Sequence, residues 1–137
     1  MSNMTPVQNL HYALGELAYS LACADGPIHK EEKQKFHSIV EAELRCKDYD
    51  FDLTDIIFQI MEKEHLDTET TYNWAMKEIH INSHYLSPEL KNTFIRVLEK
   101  VAHAYPGTSR NTEKFLARFK ADIAPIKGDP VFFAKKV

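Results

Sequence analysis

With 137 residues, 44% of them hydrophobic, the chain has the length and apolar content for one domain with a proper core. Its formal net charge of −3, with acids and bases interspersed, excludes the basic stripe that a nucleic-acid surface requires. Only 4 Gly and 6 Pro punctuate it, too few for the turns of an all-β chain.

No stretch approaches the roughly 18 consecutive apolar residues of a membrane span. The opening Met-Ser-Asn-Met-Thr-Pro lacks the charged and apolar regions of a secretory signal, so a cytoplasmic protein without direct membrane insertion is expected. Cys23 and Cys46 form no CxxC and read as reduced thiols.

In chain order, Thr5 is the expected N-cap of the first helix, with Pro6 at its first position. Val7, Leu10, Leu14, Leu17, Ala18 and Leu21 recur at helical spacing, while Tyr12, Ala13, Tyr19 and Ala22 make the other sides apolar. A helix apolar nearly all round is a central one. It stops at Asp25-Gly26-Pro27.

The second helix is expected from about Lys30 to Leu44, with Glu31 and Glu32 in its first turn and Phe36, Ile39, Val40 and Leu44 inward. After the acidic turn of residues 48–52, Leu53, Ile56, Ile57, Ile60 and Met61 mark the expected inner side of the third. Asp67 caps the fourth, which carries two apolar stripes: Tyr72, Ala75, Met76 and Ile79 on one face, and Trp74, Ile81 and Tyr85 roughly opposite.

Ser87 and Pro88 open the fifth helix, whose stripe is Leu90, Phe94, Val97, Leu98 and Val101. A sixth begins near Asn111 or Thr112 and carries Phe115, Leu116, Phe119 and Ile123. Residues 124–137 form a tail ending in Val131-Phe132-Phe133, expected to dock back on the domain because an exposed Phe pair is costly.

An internal echo appears at an offset of 80 positions: Leu10, Leu14, Leu17, Ala22 and Ala24 match Leu90, Phe94, Val97, Ala102 and Ala104. Phe36 and Ile39 match Leu116 and Phe119, and Asp25-Gly26-Pro27 falls opposite Tyr105-Pro106-Gly107. The expected fold is therefore an all-α bundle of six to seven helices, one domain over residues 1–137, built from two pseudo-repeated helical hairpins with the third and fourth helices inserted.

The stretch Leu17 to Phe36 reads LAYSLACADGPIHKEEKQKF: an Ala-rich apolar helix ending in Ala-Asp-Gly, an Ile two residues on, and paired Glu in the next helix. This element resembles the TerB-like family, which includes tellurite-resistance proteins and the N-terminal domain of a membrane-anchored DnaJ-type co-chaperone. The resemblance implies a bundle of duplicated hairpins, a non-enzymatic stress-related role, and a divalent-metal site on Asp25, Glu31 and Glu32. The second half departs from the pattern, with Tyr105 where the Asp would recur and Asn111 and Thr112 where the Glu pair maps.

Each candidate ligand has a structural reading beside its functional one. Three carboxylates brought together by a helical hairpin suit a hard cation. Equally, Asp25 stabilises the turn and Glu32 reaches back to the helix start. His80 and His84, four apart on the fourth helix, are expected to point to one side, where two imidazoles suit Zn²⁺ or Ni²⁺, or simply flank the core stripe. Ile81 after His80 removes the zincin pattern. Cys23 with Asp25 and His29 offers a soft-metal or tellurium set, against the commoner packed cysteine.

No nucleophile elbow, phosphate cradle or EF-hand loop is present in the sequence, so no enzyme is expected. The expectation is a domain acting through a divalent cation or a protein partner, or through a partner alone. The second stripe of the fourth helix must then be covered by the tail, which gives a monomer and is the favoured reading, or by a second copy through Trp74, Ile81 and Tyr85.

Overall fold

The computed structural model describes residues 5–24, 30–44, 51–104 and 110–133, without the side chains of 30–33, 43–44, 51–55, 104 and 132–133. These residues form α1 (Pro6–Ala22), α2 (Lys30–Leu44), α3 (Phe51–Glu64), α4 (Thr68–Ile81), α5 (Pro88–Ala104), α6 (Arg110–Ile123) and the single turn α7 (Pro130–Phe133). A 3-10 turn at Ser83–Tyr85 follows α4, and no strand occurs among the described residues. The expected all-α bundle is what forms.

The helix starts are set locally. Thr5 accepts from the Gln8 amide at 3.1 Å while the Gln8 side chain accepts from the Thr5 amide at 2.9 Å, a complete capping box ahead of Pro6. Asp67 accepts from the Thr70 amide at 3.0 Å and the Thr70 hydroxyl at 2.7 Å, which holds its carboxyl below the usual range. Ser87 accepts from the Leu90 amide at 3.0 Å at the start of α5. Asn82 closes α4 by donating from its side chain to the Glu78 carbonyl at 2.8 Å.

Helix α1 is central: every residue from Leu10 to Ala22 except Tyr12 is buried. It packs along α4 and α3 and also touches α5 and α6. One buried cluster draws on all six long helices, and Leu14 and Phe94 both lie wholly inside it. The expected neighbourhood of α1 and α5 is present, with the His11 ring edge-on to Phe94 at 5.9 Å. The hairpins interlock rather than standing apart: α2 lies against α5 and α3, while α6 lies against α5 and α1.

Two expectations about side-chain direction are corrected. Ile56 and Ile60 point outward, 51% and 43% exposed, while Ile57, Phe58 and Met61 are buried. Phe58 decides this rotation of α3: it stacks on Phe36 at 4.0 Å and meets Tyr19 edge-on at 6.0 Å. A helix apolar at so many positions offers several inward faces, and the aromatic contacts select one.

The tail is docked, but against the 3-10 turn. The Asp129 amide donates to the His84 carbonyl at 2.9 Å, and Gly128 supplies the left-handed φ of 72° that the approach needs. Lys91 donates to the Ile123 and Ile126 carbonyls at 3.3 and 2.6 Å, closing the C-terminus of α6. Ile126 and Tyr85 pack on the core. Trp74 and Ile81 are left 47% and 66% exposed, so among the described side chains the tail is not their cover.

Candidate functional site

Asp25 lies outside the described residues, as do His29 and Cys46, and Glu31 and Glu32 fall in the first turn of α2 with side chains outside the description. The end of α1 meets the start of α6, where the Asn111 side chain donates to the Ala24 carbonyl at 3.4 Å. His80 is exposed on α4, whereas His84 is exposed in the 3-10 turn, because the helix ends at Ile81. The two histidines thus do not share a helix face. Among the described residues no three His, Cys, Asp or Glu side chains gather as a metal set. Cys23 packs against the core beside Tyr19.

The exposed face of α4 is the candidate site. Trp74 and Ile81, seven residues apart, fall within about 20° on the helix and roughly 10 Å along its axis. Lys77 and Glu78 lie between them, to either side of the same line. Opposite, Thr71, Tyr72, Ala75, Met76 and Ile79 are buried. Two contacts hold this orientation rigid. Toward α1, the buried Ser20 and Thr71 hydroxyls hydrogen-bond each other, and Thr68 donates to the Ser20 carbonyl at 3.1 Å.

Toward α6, the Tyr72 hydroxyl donates to Asp122, and Arg118 lies 3.9 Å above the Tyr72 ring. Arg118 also grips Glu69 with two bonds of 2.8 Å, which holds the Glu69 carboxyl below the ordinary range. Burial and the Asp122 bond push the Tyr72 phenol upward.

Beside this face runs an acidic seam that the sequence reading missed. Glu16 of α1 is 4% exposed, and the Glu78 carboxylate of α4 acts on it across the seam. Burial first, then Glu78, push the Glu16 carboxyl up to about 8. Tyr12, one turn earlier, is pushed up by its own burial and by both carboxylates. The signal was present: Glu16 is the only Asp, Glu, Lys or Arg in α1, and a helix apolar on every side has nowhere to expose it.

Among the described residues the arrangement has a covered acid and no gathered set of metal ligands. What it presents to solvent is a rigid helix face with two large apolar groups and one charge of each sign. Among the described residues no helix is long and apolar enough to cross a membrane. No family model, curated protein or solved structure matches the chain.

Proposed function

We propose that this chain is a non-enzymatic, TerB-like helical module that acts by binding a protein through the outer face of α4. The observation that carries this reading is the exposure of Trp74 and Ile81, 47% and 66%, on one line of a helix whose other side is locked in the core. Each large apolar group gains about 1.5–3 kcal/mol on leaving water, and Trp is enriched among residues that dominate interface energies. A rigid helix face also loses little freedom on docking, which favours affinity. The resemblance of Leu17 to Phe36 supports the family and its stress-related role.

The test is a photoreactive amino acid at position 81, irradiated in cells that carry the protein, with the same residue at exposed Ala121 of α6 as control. A discrete adduct from position 81 and none from 121 is expected. Equal labelling from both positions, or no adduct from 81, contradicts the reading.

A further inference from the structure

The outer face of α4 is bordered on its α1 side by carboxylates. Glu78 lies about 40° round the helix from Trp74 and about 60° from Ile81, on the flank that carries Thr71. Thr71 bonds Ser20 of α1, and Glu16 stands one turn before Ser20. The two helices run antiparallel, so Glu16 comes against α4 at Glu78, two turns beyond Thr71. Tyr12 borders the same seam and is acted on by both carboxylates.

No cation answers this pair. Glu16 is 4% exposed, and among the described residues its carboxyl has neither a hydrogen bond nor an ion pair. Its helix neighbours are Tyr12, Ala13, Tyr19 and Ser20, and α1 holds no Lys or Arg. Glu78 is half-buried, with Trp74, Ala75, Ile81 and Asn82 as neighbours and no ion pair among the described residues. Elsewhere such acids are answered: Arg118 grips Glu69, and Lys120 pairs with Glu99. A covered carboxyl without a donor costs free energy, and a cation brought into the seam offsets that cost.

We propose that this face docks a basic and apolar segment of a protein partner, whose large apolar side chain covers Trp74 and Ile81 while an adjoining Lys or Arg places its charge against Glu78 and Glu16. This rests on the reading of α4 as the docking face and names the chemistry of its partner. A Lys or Arg stem can lie along the Trp74 indole while its head reaches the seam. The carboxylates turn away phosphate-bearing surfaces, lipid headgroups and nucleic acid alike, in a chain whose net charge is already −3. Glu78 of α4 and Tyr12 of α1 are the titratable groups beside Glu16 among the described residues. In the free chain the Glu16 carboxyl keeps its proton up to about 8, and an arriving cation favours its charged form. Docking near neutral pH therefore expels a proton.

Short random peptides selected on the immobilised full chain are the probe. The selected peptides are expected to join Lys or Arg to a large apolar residue. Glu78→Gln and Trp74→Ala are each expected to weaken their binding about tenfold, measured by fluorescence anisotropy. Glu113→Gln, at an exposed position of α6, is expected to leave it unchanged. Calorimetry in buffers of different ionisation heat is expected to show a proton released by the wild type and none by Glu16→Gln. Thermal melts establish that each variant is folded.

Selected peptides without basic residues, equal affinity for Glu78→Gln, or docking that releases no proton overturn the proposal. If Trp74→Ala still loses the binding in those cases, the docking face stands and its basic partner falls. An adduct from position 81 with lipid, with a second copy of the chain, or with a protein segment lacking Lys and Arg has the same meaning. No adduct at all removes both.

Discussion

Replacing Glu16 with Gln is expected to flatten the pH dependence of stability and to make the chain more stable than wild type above neutral pH. In the folded chain the Glu16 carboxyl binds its proton up to about 8, whereas in the unfolded chain it releases it near the ordinary 4.5. Between these values the folded state holds one more proton, so each unit of rising pH removes about 1.4 kcal/mol from this group's contribution. The contribution is complete below about 4.5 and gone above about 8. From pH 6 to pH 8 the wild type loses about 2 kcal/mol through Glu16, on the order of 8 °C in melting temperature for a chain of this length.

Gln keeps the shape and cannot ionise. Thermal melts of both proteins at pH 6 and pH 9 are the measurement, with the difference between their two shifts as the result. Glu78→Gln is expected to act in the same direction but less, since Glu78 is the second cause of the shift and burial the first. Equal losses in wild type and Glu16→Gln show that Glu16 is ionised in the folded chain and contradict the seam.

The second large effect belongs to the core. Phe94 is wholly buried on α5, where it meets His11 of α1 edge-on at 5.9 Å. Phe94→Ala is expected to cost about 3–5 kcal/mol, the transfer free energy of the ring plus the cavity left between helices that pack too well to collapse. That is a large share of the 5–15 kcal/mol that holds a typical domain. Phe94→Leu, which keeps most of the volume, is expected to cost about half as much or less. Urea denaturation gives both values. A loss near 1 kcal/mol for Phe94→Ala places the ring outside a packed core.

Features written in short-range chemistry were legible in the sequence. Thr5-Pro6, Asp67 and Ser87-Pro88 each begin a helix because the side chain that closes the first turn lies within three residues of the amide it accepts. The stripe of α5 and the all-round apolar α1 were legible for a related reason: burial on one side, or on every side, leaves a period or the lack of one.

The rotation of α3 was not legible. Its apolar residues surround the helix, and only Phe58 stacking on Phe36 from a distant element turns Ile56 and Ile60 to solvent. The end of α4 at Ile81 was also hidden, since it depends on the Asn82 side chain returning to the Glu78 carbonyl. That end separates His80 from His84. Trp74 and Ile81 were recognised as a second stripe, but their cover depends on where the tail goes, which is settled by the Asp129 contact to the turn. Glu16 required two facts together, its solitary charge and the burial of α1 from Leu10 onward on nearly every side.

The central claim is that the outer face of α4 is covered when the protein works, and Trp74 reports on it directly because the chain contains 1 Trp. A fluorine label on that indole gives a single resonance. Its position is to be compared between the dilute purified chain and the cell, with Ile81→Glu as the control for crowding and slow tumbling. The account predicts a resonance displaced in the cell for the wild type and at the dilute position for Ile81→Glu. The same dilute position for both proteins in the cell would show the face to be wet there and would contradict the account.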